Sequence, residues 1–382
     1  MSTICYGKAL AVSGRTVIDM KIGFATNDWS RSLKYDDGTP CLGGSGHIRV
    51  GQYILPLRRS GYDAIVGILA YNKYTKRFGI HDFYGNDHFD CDVVVIQRYM
   101  HKGVLGDIRS ATAAGQIVIN DVDDWYWGLS DHNAAKSLTD PKNNLNENID
   151  HYKNILMSSS GIITSTPFLT EKMSKWNGTV VMHQNYVDMG LFERRKHVAS
   201  KMPVVGWMGS TAHRSGDLQI LRGFAQRLSS KVSWHHTGHV ESPHFPKFWD
   251  EIKVHAGNVT RTNFLKPKDL NEGIQFDIGI VPLSDIPFNS AKSWIKGIEY
   301  AAAGVPFVAS SLDEYVRLNK EYNIGILAKR PRDFITHIEK LLDVDYRREE
   351  ANKNYENVQS LDVYEGVKSL IRCIEGICNE AR

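Results

Sequence analysis

Three charged residues in the C-terminal third of the chain are spaced so that they could bind a phosphate ester. Lys292, Lys296 and Glu299 stand at positions i, i+4 and i+7, and they share one face if residues 290–303 form a helix. Lysines in a first helical turn oppose the helix dipole, which favours a bound anion such as a diphosphate between helix and ammonium groups. Glu299 would then accept hydrogen bonds from ribose hydroxyls. The alternative is a solvated face with an ordinary Lys296–Glu299 pair.

A glycine-rich turn lies about twenty residues after the start of the first predicted strand. Gly44, Ser45 and Gly46 belong to the run Gly43–Val50, and a helix is predicted to begin near Ser45 or Gly46. Glycines let backbone N–H groups approach a ligand closely, and a helix N-terminus attracts anions. The run therefore predicts a phosphate or sugar site, with an ordinary glycine-rich turn as the alternative.

A second small-residue turn follows the strand that begins at Pro203. Gly209 and Ser210 precede His213 and Arg214, and a helix is predicted to begin near Asp217. The backbone would cradle a diphosphate while the two side chains donate hydrogen bonds to it. A solvent-facing loop with an incidental arginine is the alternative.

An acidic and aromatic run follows a buried strand in the first half of the chain. Asp121, Asp123 and Asp124 precede Trp125 and Trp127. We expect the carboxylates to orient donor or acceptor hydroxyls, with the indoles stacking on an acceptor ring. Carboxylates in an Asp-x-Asp pattern also suit a divalent metal, but no metal site is predicted because the lysines already supply positive charge. Core aromatics beside a helix-capping aspartate are the remaining alternative.

The elements that position these residues are strands alternating with helical stretches, in two successive sets. Continuous Val/Ile runs of this kind indicate buried parallel strands. The chain is therefore predicted to be α/β, with two Rossmann-like doubly wound parallel-sheet domains facing across a cleft and a C-terminal closing helix. The predicted strands are Lys21–Thr26, Asp63–Leu69, Asp92–Gln97, Gln116–Asn120, Gly161–Thr164 and Val180–His183, then 203–209, Val232–Thr237, Val259–Phe264, Asp277–Val281, Pro306–Ala309 and Gly325–Leu327.

The predicted domain boundaries follow from where the pattern restarts. Residues 1–19 form an extension, 20–198 a first Rossmann-like domain, 199–360 a second Rossmann-like domain and 361–382 the closing helix. The charged run Glu193–Lys196 is interpreted as a solvated linker.

Composition excludes several classes of protein. The chain has 382 residues, of which 42% are hydrophobic and 23% charged, so it is neither disordered nor fibrous. Five cysteines without metal-ligand spacing predict reduced thiols in a cytoplasmic protein. No apolar run approaches the length of a membrane helix, which predicts no membrane insertion. A net charge of +3 is too balanced to indicate nucleic-acid binding.

Several segments, in the same order, resemble family 4 type glycosyltransferases of the GT-B fold. Glu299, Gly304 and Pro306 match the donor-binding signature of that family, in which small residues and Gly-x-Pro follow a glutamate. Further matches are the glycine loop Gly43–Arg49, the serine-bearing turn Ser165–Leu169, the segment Asn185–Asp188 with Phe192, and the strand Gly206–Gly209. The resemblance covers nearly the whole chain from Lys21.

The resemblance implies a sugar transfer from a nucleotide diphosphate donor, with UDP expected, to a hydroxyl acceptor, with retention of configuration and without a metal. It also makes residues 20–198 the acceptor domain and residues 199–360 the nucleotide-sugar donor domain. Together with the residues discussed above, it leads us to predict catalytic roles for Lys292, Arg214 and Asp121. The donor would be bound by Gly44, Ser45, Gly46, Gly209, Ser210, His213, Lys292, Ser293, Lys296 and Glu299, and the acceptor by Asp123, Asp124, Trp125 and Arg49.

The sequence departs from that family at three places. The arginine and lysine that usually follow the first strand of the nucleotide domain are not clearly spaced here, which concerns Arg214. The position eight residues before Glu299, usually a second glutamate, is Ala291, and Asn120 and Asp121 stand where a histidine often follows the strand. Ala291 mildly favours a non-catalytic sugar- or nucleotide-binding module, and a sugar-nucleotide epimerase on the same fold is a third interpretation. The extended glycine loop in a chain without a membrane-seeking terminus resembles bacteriophage glycosyltransferases, which implies a hydroxymethylated DNA base or a virion protein as acceptor.

Overall fold

The chain folds into two compact units, which we describe from a computed structural model. The structure describes residues 19–131, 133–210, 217–223, 225–238, 254, 259–262, 266 and 269–381. The first unit lies within Met1–Val122, Asn146–Gln184 and Gly366–Arg382, and the second comprises Asp123–Leu145 and Asn185–Glu365.

The described part of the first unit is built on an eight-stranded sheet and a separate two-stranded sheet. The strands are β1 (Lys21–Thr26), β2 (Trp29–Lys34), β3 (Pro40–Leu42), β4 (Asp63–Asn72), β5 (Arg77–Asp82), β6 (Asp87–His88), β7 (Val93–Gln97), β8 (Ile117–Val122), β9 (Gly161–Thr164) and β10 (Val180–Met182). The order in the large sheet is β10-β9-β8-β7-β1-β4-β5-β6, and the first six of these strands run parallel, whereas β5 and β6 form an antiparallel edge. The small sheet pairs β2 with β3 in antiparallel orientation.

Helices of the first unit follow the strands as crossover connections. The glycine-rich run enters a continuous helical segment that passes from Gly44–Gly46 through a π-helical turn, His47–Gly51, into Gln52–Arg59. The others are Lys102–Ala113, Ile149–Ser158, Pro167–Met173 and the long closing helix Val363–Glu380, of which the first three residues belong to the second unit.

In its described part, the second unit is built on a six-stranded parallel sheet. Its strands are β11 (Val204–Met208), β12 (Ser233–Thr237), β13 (Val259–Thr262), β14 (Ile278–Val281), β15 (Phe307–Ser310) and β16 (Ile326–Ala328). Their order in the sheet is β13-β12-β11-β14-β15-β16. Both faces are covered, since Val205 and Trp207 pack in one buried cluster while Met208, which points to the other face, packs in another. The α-helices among the described residues of this unit are Ala134–Thr139, Leu270–Gly273, Pro287–Ser290, Ile295–Ala302, Asp313–Tyr322, Pro331–Leu341 and Val344–Val358.

The predicted fold class is confirmed: both sheets are covered α/β sheets with parallel strands, and the predicted strands and closing helix are present wherever the chain is described. Short 3-10 helices occur as well, at Tyr126–Gly128, Met189–Leu191, Leu218–Leu221, Ala225–Leu228 and Gln359–Leu361. No helix among the described residues is long and apolar enough to cross a bilayer. Cys41, Cys91, Cys373 and Cys378 are buried, and no disulfide joins them in the described part of the chain.

Two predictions about chain organisation differ from the structure. The run Glu193–Lys196 is exposed except at Arg195, but it is not a linker, because it lies inside the second unit, where Arg195 donates its backbone N–H to the Ala303 carbonyl and pairs with Asp277 at 3.1 Å. The division between the two units at this point of the chain lies between Gln184 and Asn185, whereas the sequence predicted it at residue 198. Residues 123–145, within the predicted acceptor domain, belong to the second unit.

Candidate functional site

The predicted donor residues of the second unit gather where β11 ends. Lys296, in the first turn of the helix Ile295–Ala302, donates its ammonium to the carbonyl oxygen of Met208, the last residue of β11. One turn further along that helix, the Tyr300 hydroxyl accepts the backbone N–H of Met208 at 2.9 Å. The helix is therefore fixed to the end of β11 at two points. Gly209 and Ser210 follow β11 directly in the chain.

Glu299 is buried beside Lys296, with 6% of its surface exposed. Burial raises the pKa of its carboxyl to about 7, and the nearby Lys296 ammonium opposes that rise. A buried carboxyl with such a pKa is typical of functional sites.

Lys292 lies outside the helix that carries Lys296. The predicted helix over residues 290–303 is wrong as a single element, because the chain forms Pro287–Ser290 and Ile295–Ala302 with a turn between them. Trp294 stands at the second helix start, fully buried, with its indole N–H donated to the Asn185 carbonyl at 3.0 Å. This anchored ring fixes the turn, so the three charged residues do not form one continuous helical stripe.

The turn brings Lys292 to Asp124. Its ammonium lies 2.5 Å from the Asp124 carboxylate, and the two side chains are 19% and 14% exposed. The same ammonium lies 4.3 Å from the centre of the Phe288 ring. Beside it, the Ser293 hydroxyl accepts the Asn185 side-chain amide at 2.6 Å. Asp124, which the sequence predicted to bind the acceptor, thus pairs with Lys292, which it predicted to bind the donor.

Gly209 and Ser210 lie in a half-buried bend of the backbone that His236 holds in place. The His236 Nε2 lies 2.7 Å from the Gly209 carbonyl oxygen, and burial lowers the pKa of His236 to about 4, so the neutral ring donates. A side chain at Gly238 would come within 2.4 Å of that carbonyl oxygen. The Ser210 hydroxyl is buried and has no hydrogen-bond partner among the described residues. Predicted site residues His213 and Arg214 lie outside the described residues.

The sequence predicted Asp217 only as a helix start, but its side chain holds a neighbouring segment of the site in place. It is buried, and its Oδ1 accepts the Ser284 N–H at 2.9 Å and the Asn289 amide at 2.7 Å. These bonds fix the segment that leads to Lys292. The predicted helix at this point is a short 3-10 helix, Leu218–Leu221, in the described chain.

In the first unit, the glycine-rich turn packs around Asp28, which sequence reasoning missed. Gly46 donates its N–H to the Asp28 carboxylate at 3.0 Å, and Gly43 donates to the Asp28 carbonyl at 2.8 Å. A side chain at Gly43 would overlap that carboxylate, whereas Gly44 is exposed with open space around it, and Ser45 is half-buried. Arg98 pairs with Asp28 at 3.1 Å. The space left by the missing glycine side chains is therefore occupied by Asp28 of the chain itself.

Arg49 and Asp121 bind each other in the interior of the first unit. The guanidinium donates to both carboxylate oxygens, at 2.7 to 3.2 Å, and to the His183 carbonyl at 2.8 Å. Their side chains are 0% and 3% exposed. This geometry is that of a buried structural ion pair.

The acidic run is divided between the units. Asp121 belongs to the first unit, whereas Asp123, Asp124 and Trp125 belong to the second. The Trp125 and Trp127 rings lie 4.9 Å apart and tilted, in contact with each other. Two carboxylates of the run are bound by cations of the chain, Asp121 by Arg49 and Asp124 by Lys292.

Gln97, at the carboxyl end of β7, is a further polar residue that the sequence did not single out. It pairs in register with Thr26 and Asp121 on the neighbouring strands. Its side-chain oxygen Oε1 accepts a hydrogen bond from the Thr26 hydroxyl at 2.6 Å. Its side-chain nitrogen Nε2 is buried and has no hydrogen-bond partner within the described part of the chain. Its position at a strand's carboxyl end, where open α/β sheets bind ligands, was the available signal.

Known proteins that resemble the chain are glycosyltransferases. No protein-family model matches it. It is 24% identical over 205 residues to the putative teichuronic acid biosynthesis glycosyltransferase TuaH of Bacillus subtilis, covering 49% of this chain and 50% of that protein. The chain thus spans half the length of that relative.

Solved structures match over almost the whole chain. Anabaena HepE, solved in complex with UDP-glucose, aligns with a TM-score of 0.61 and 14% identity, covering 93% of this chain and 99% of HepE. Sucrose-phosphate synthase from Thermosynechococcus elongatus aligns with a TM-score of 0.60 and 12% identity, covering 92% and 96%. At these identities the likeness shows the fold, and the chain has the GT-B fold of two parallel-sheet α/β domains.

Proposed function

We propose that the protein is a glycosyltransferase that transfers a sugar from a nucleotide diphosphate sugar, with UDP as the nucleotide, to a hydroxyl acceptor. The observation that carries this proposal is the grouping of Lys296 and Glu299 under the end of β11. Support comes from the GT-B fold and from HepE, a structural neighbour solved with UDP-glucose.

In the proposed reaction the bond between the sugar's anomeric carbon and the diphosphate breaks while the acceptor oxygen bonds to that carbon. Negative charge accumulates on the departing diphosphate, and preorganised cations stabilise it. Lys292 and Lys296 supply this charge, so the proposed transfer is metal-independent. The acceptor proton passes to the departing phosphate, and configuration is retained, as the resemblance to family 4 enzymes implies.

Each named residue has a distinct proposed role. Glu299 accepts ribose hydroxyls, and the uncapped start of the helix Ile295–Ala302 offers backbone N–H groups to the phosphates. Asp124 is a positioning residue that holds the Lys292 ammonium in place before the donor arrives. Arg214 and His213 remain proposed phosphate ligands from the sequence.

For the acceptor, we propose only its chemical class. A hydroxyl on a hydroxymethylated DNA base or on a virion protein follows from the resemblance to bacteriophage enzymes. TuaH is named for biosynthesis of teichuronic acid, so carbohydrate chains belong in the same acceptor panel.

The test begins with UDP-sugars and no acceptor. Slow release of UDP together with free sugar supports a transferase, whereas binding without release supports a binding module, and an epimerised sugar without transfer supports an epimerase. Adding acceptors should accelerate UDP release.

The variant Lys292→Met should lower turnover by about 100-fold while donor affinity changes less, because charge on the leaving diphosphate develops in the transition state. Lys320→Met, at an exposed lysine of the same unit, is the matched control. Equal turnover of the Lys292→Met variant and the wild type would remove Lys292 from the mechanism.

A further inference from the structure

The first unit contains a cavity that the proposed transfer does not use. It encloses about 360 Å³ between the β2–β3 hairpin, the glycine-bearing helix and the turn that joins β5 to β6. Cavities of this size hold small organic ligands.

One wall of the cavity is a single helix face. His47, Gly51, Ile54 and Arg58 line it at spacings of four, three and four residues, which is the repeat of one face. Gly51 lets the hairpin approach, since a side chain there would lie 2.5 Å from a methyl carbon of Leu42.

Other lining residues of the cavity are aromatic or apolar. Tyr35 comes from the hairpin, Phe83 and Tyr84 come from the turn, and Ile65 and Val66 come from β4. Such rings bind planar apolar groups by stacking.

Most polar groups of the turn already have partners inside the protein. Asp82 accepts the backbone N–H groups of Tyr84 and Asn86 and pairs with His88 at 2.9 Å. The Tyr84 hydroxyl donates to Asp37 at 3.0 Å. The turn therefore offers few hydrogen bonds to a ligand, which disfavours a sugar with many hydroxyls.

Two polar groups of the helix face are left for a ligand. His47 has a buried Nε2 with no hydrogen-bond partner among the described residues, and burial lowers its pKa to about 4, so the ring is neutral. Arg58 is exposed and donates through Nε to the Ala64 carbonyl at 2.8 Å. In the described chain its terminal guanidinium nitrogens make no hydrogen bond, and a guanidinium binds carboxylates and phosphates.

We propose that this cavity binds an aromatic compound that carries an anionic group, with its ring between Tyr35, Phe83 and Tyr84 and its anion at Arg58. His47 would hydrogen-bond a heteroatom of the ring. The proposal concerns a site within the first unit and does not depend on the transferase activity.

Indole-3-acetate is a suitable probe, because it joins a planar ring, a ring N–H and a carboxylate. We expect saturable binding by titration calorimetry with a Kd of about 1 mM, which is the affinity of a well-placed ligand of this size. The His47 ring resonances should shift on saturation. Arg58→Gln should weaken binding by about tenfold or more, since a charge-assisted hydrogen bond is lost.

Arg59→Gln, at the neighbouring exposed arginine that does not line the cavity, is the matched control and should bind like the wild type. The neutral ring 3-methylindole should bind the wild type and Arg58→Gln equally. The proposal is overturned if the probe does not saturate, if both arginine variants weaken it equally, if UDP-glucose displaces it, or if methyl glucoside binds in its place.

Discussion

At the scale of single residues, Glu299 has the most informative ionisation. Its folded pKa of about 7 lies above the value of 4.5 for an unperturbed glutamate, so the folded protein binds more protons than the unfolded chain between these pH values. The contribution of Glu299 to the free energy of unfolding is therefore greatest below pH 4.5 and falls as pH rises towards 7.

Glu299→Gln should remove this dependence. Relative to the wild type, its free energy of unfolding should rise by up to about 3 kcal/mol between pH 4.5 and pH 7. Urea unfolding at several pH values measures the difference. Parallel stability curves for the two proteins would mean that Glu299 is not held in a desolvated site.

The buried pair Arg49–Asp121 gives a second prediction at the residue scale. Arg49→Met should destabilise the protein by about 3–5 kcal/mol, because the Asp121 carboxylate would be left buried without its cation. Arg49→Met combined with Asp121→Leu should recover part of this loss. Denaturant unfolding tests both variants, and a loss below about 1 kcal/mol for the single variant would argue against a structural pair.

At the scale of elements, the helix Ile295–Ala302 depends on how it ends. Gly304 has φ of +68°, and a side chain there would lie 2.9 Å from Arg194 Cγ. Gly304→Ala should therefore cost about 1–2 kcal/mol of stability. Gly106→Ala is the control: Gly106 lies inside the exposed face of Lys102–Ala113 with open space around it, and the change should stabilise by about 0.5–1 kcal/mol. Thermal unfolding that ranks the two variants alike would contradict this account.

The elements also show what the sequence could and could not predict. Continuous Val/Ile runs indicated the parallel strands correctly, since burial on both faces leaves a clear pattern in composition. The β5–β6 edge and the β2–β3 hairpin were missed, because these strands mix polar with apolar residues and contain no continuous Val/Ile run. The helix break before Ile295 was missed as well, since it depends on the tertiary contacts of Trp294 with Asn185 and Arg317.

The same reasoning applies to the candidate site. Lys296 and Glu299 were found because they share one helical face. The pairing of Lys292 with Asp124 was not predicted, since the two residues are 168 positions apart in the chain. The binding of Arg49 to Asp121 was missed for the same reason. Sequence spacing reports local geometry, whereas these pairs arise from packing.

At the scale of the whole molecule, the proposed transfer uses lysine charge instead of a metal ion. Donor turnover should therefore stay within about twofold when EDTA is added, because no step relies on a divalent cation at the leaving group. UDP release with and without EDTA measures this, with added Mg²⁺ as the control. A loss of turnover that Mg²⁺ restores would contradict the proposed mechanism.

The most direct test of the central claim is whether Glu299 holds the nucleotide half of a sugar donor. Titration calorimetry of UDP-glucose should show saturable binding to the wild type, at least about tenfold weaker binding to Glu299→Ala and Glu299→Gln, and unchanged binding to the exposed control Glu356→Ala. If the Glu299 variants bind the donor as tightly as the wild type, the proposed donor site is wrong.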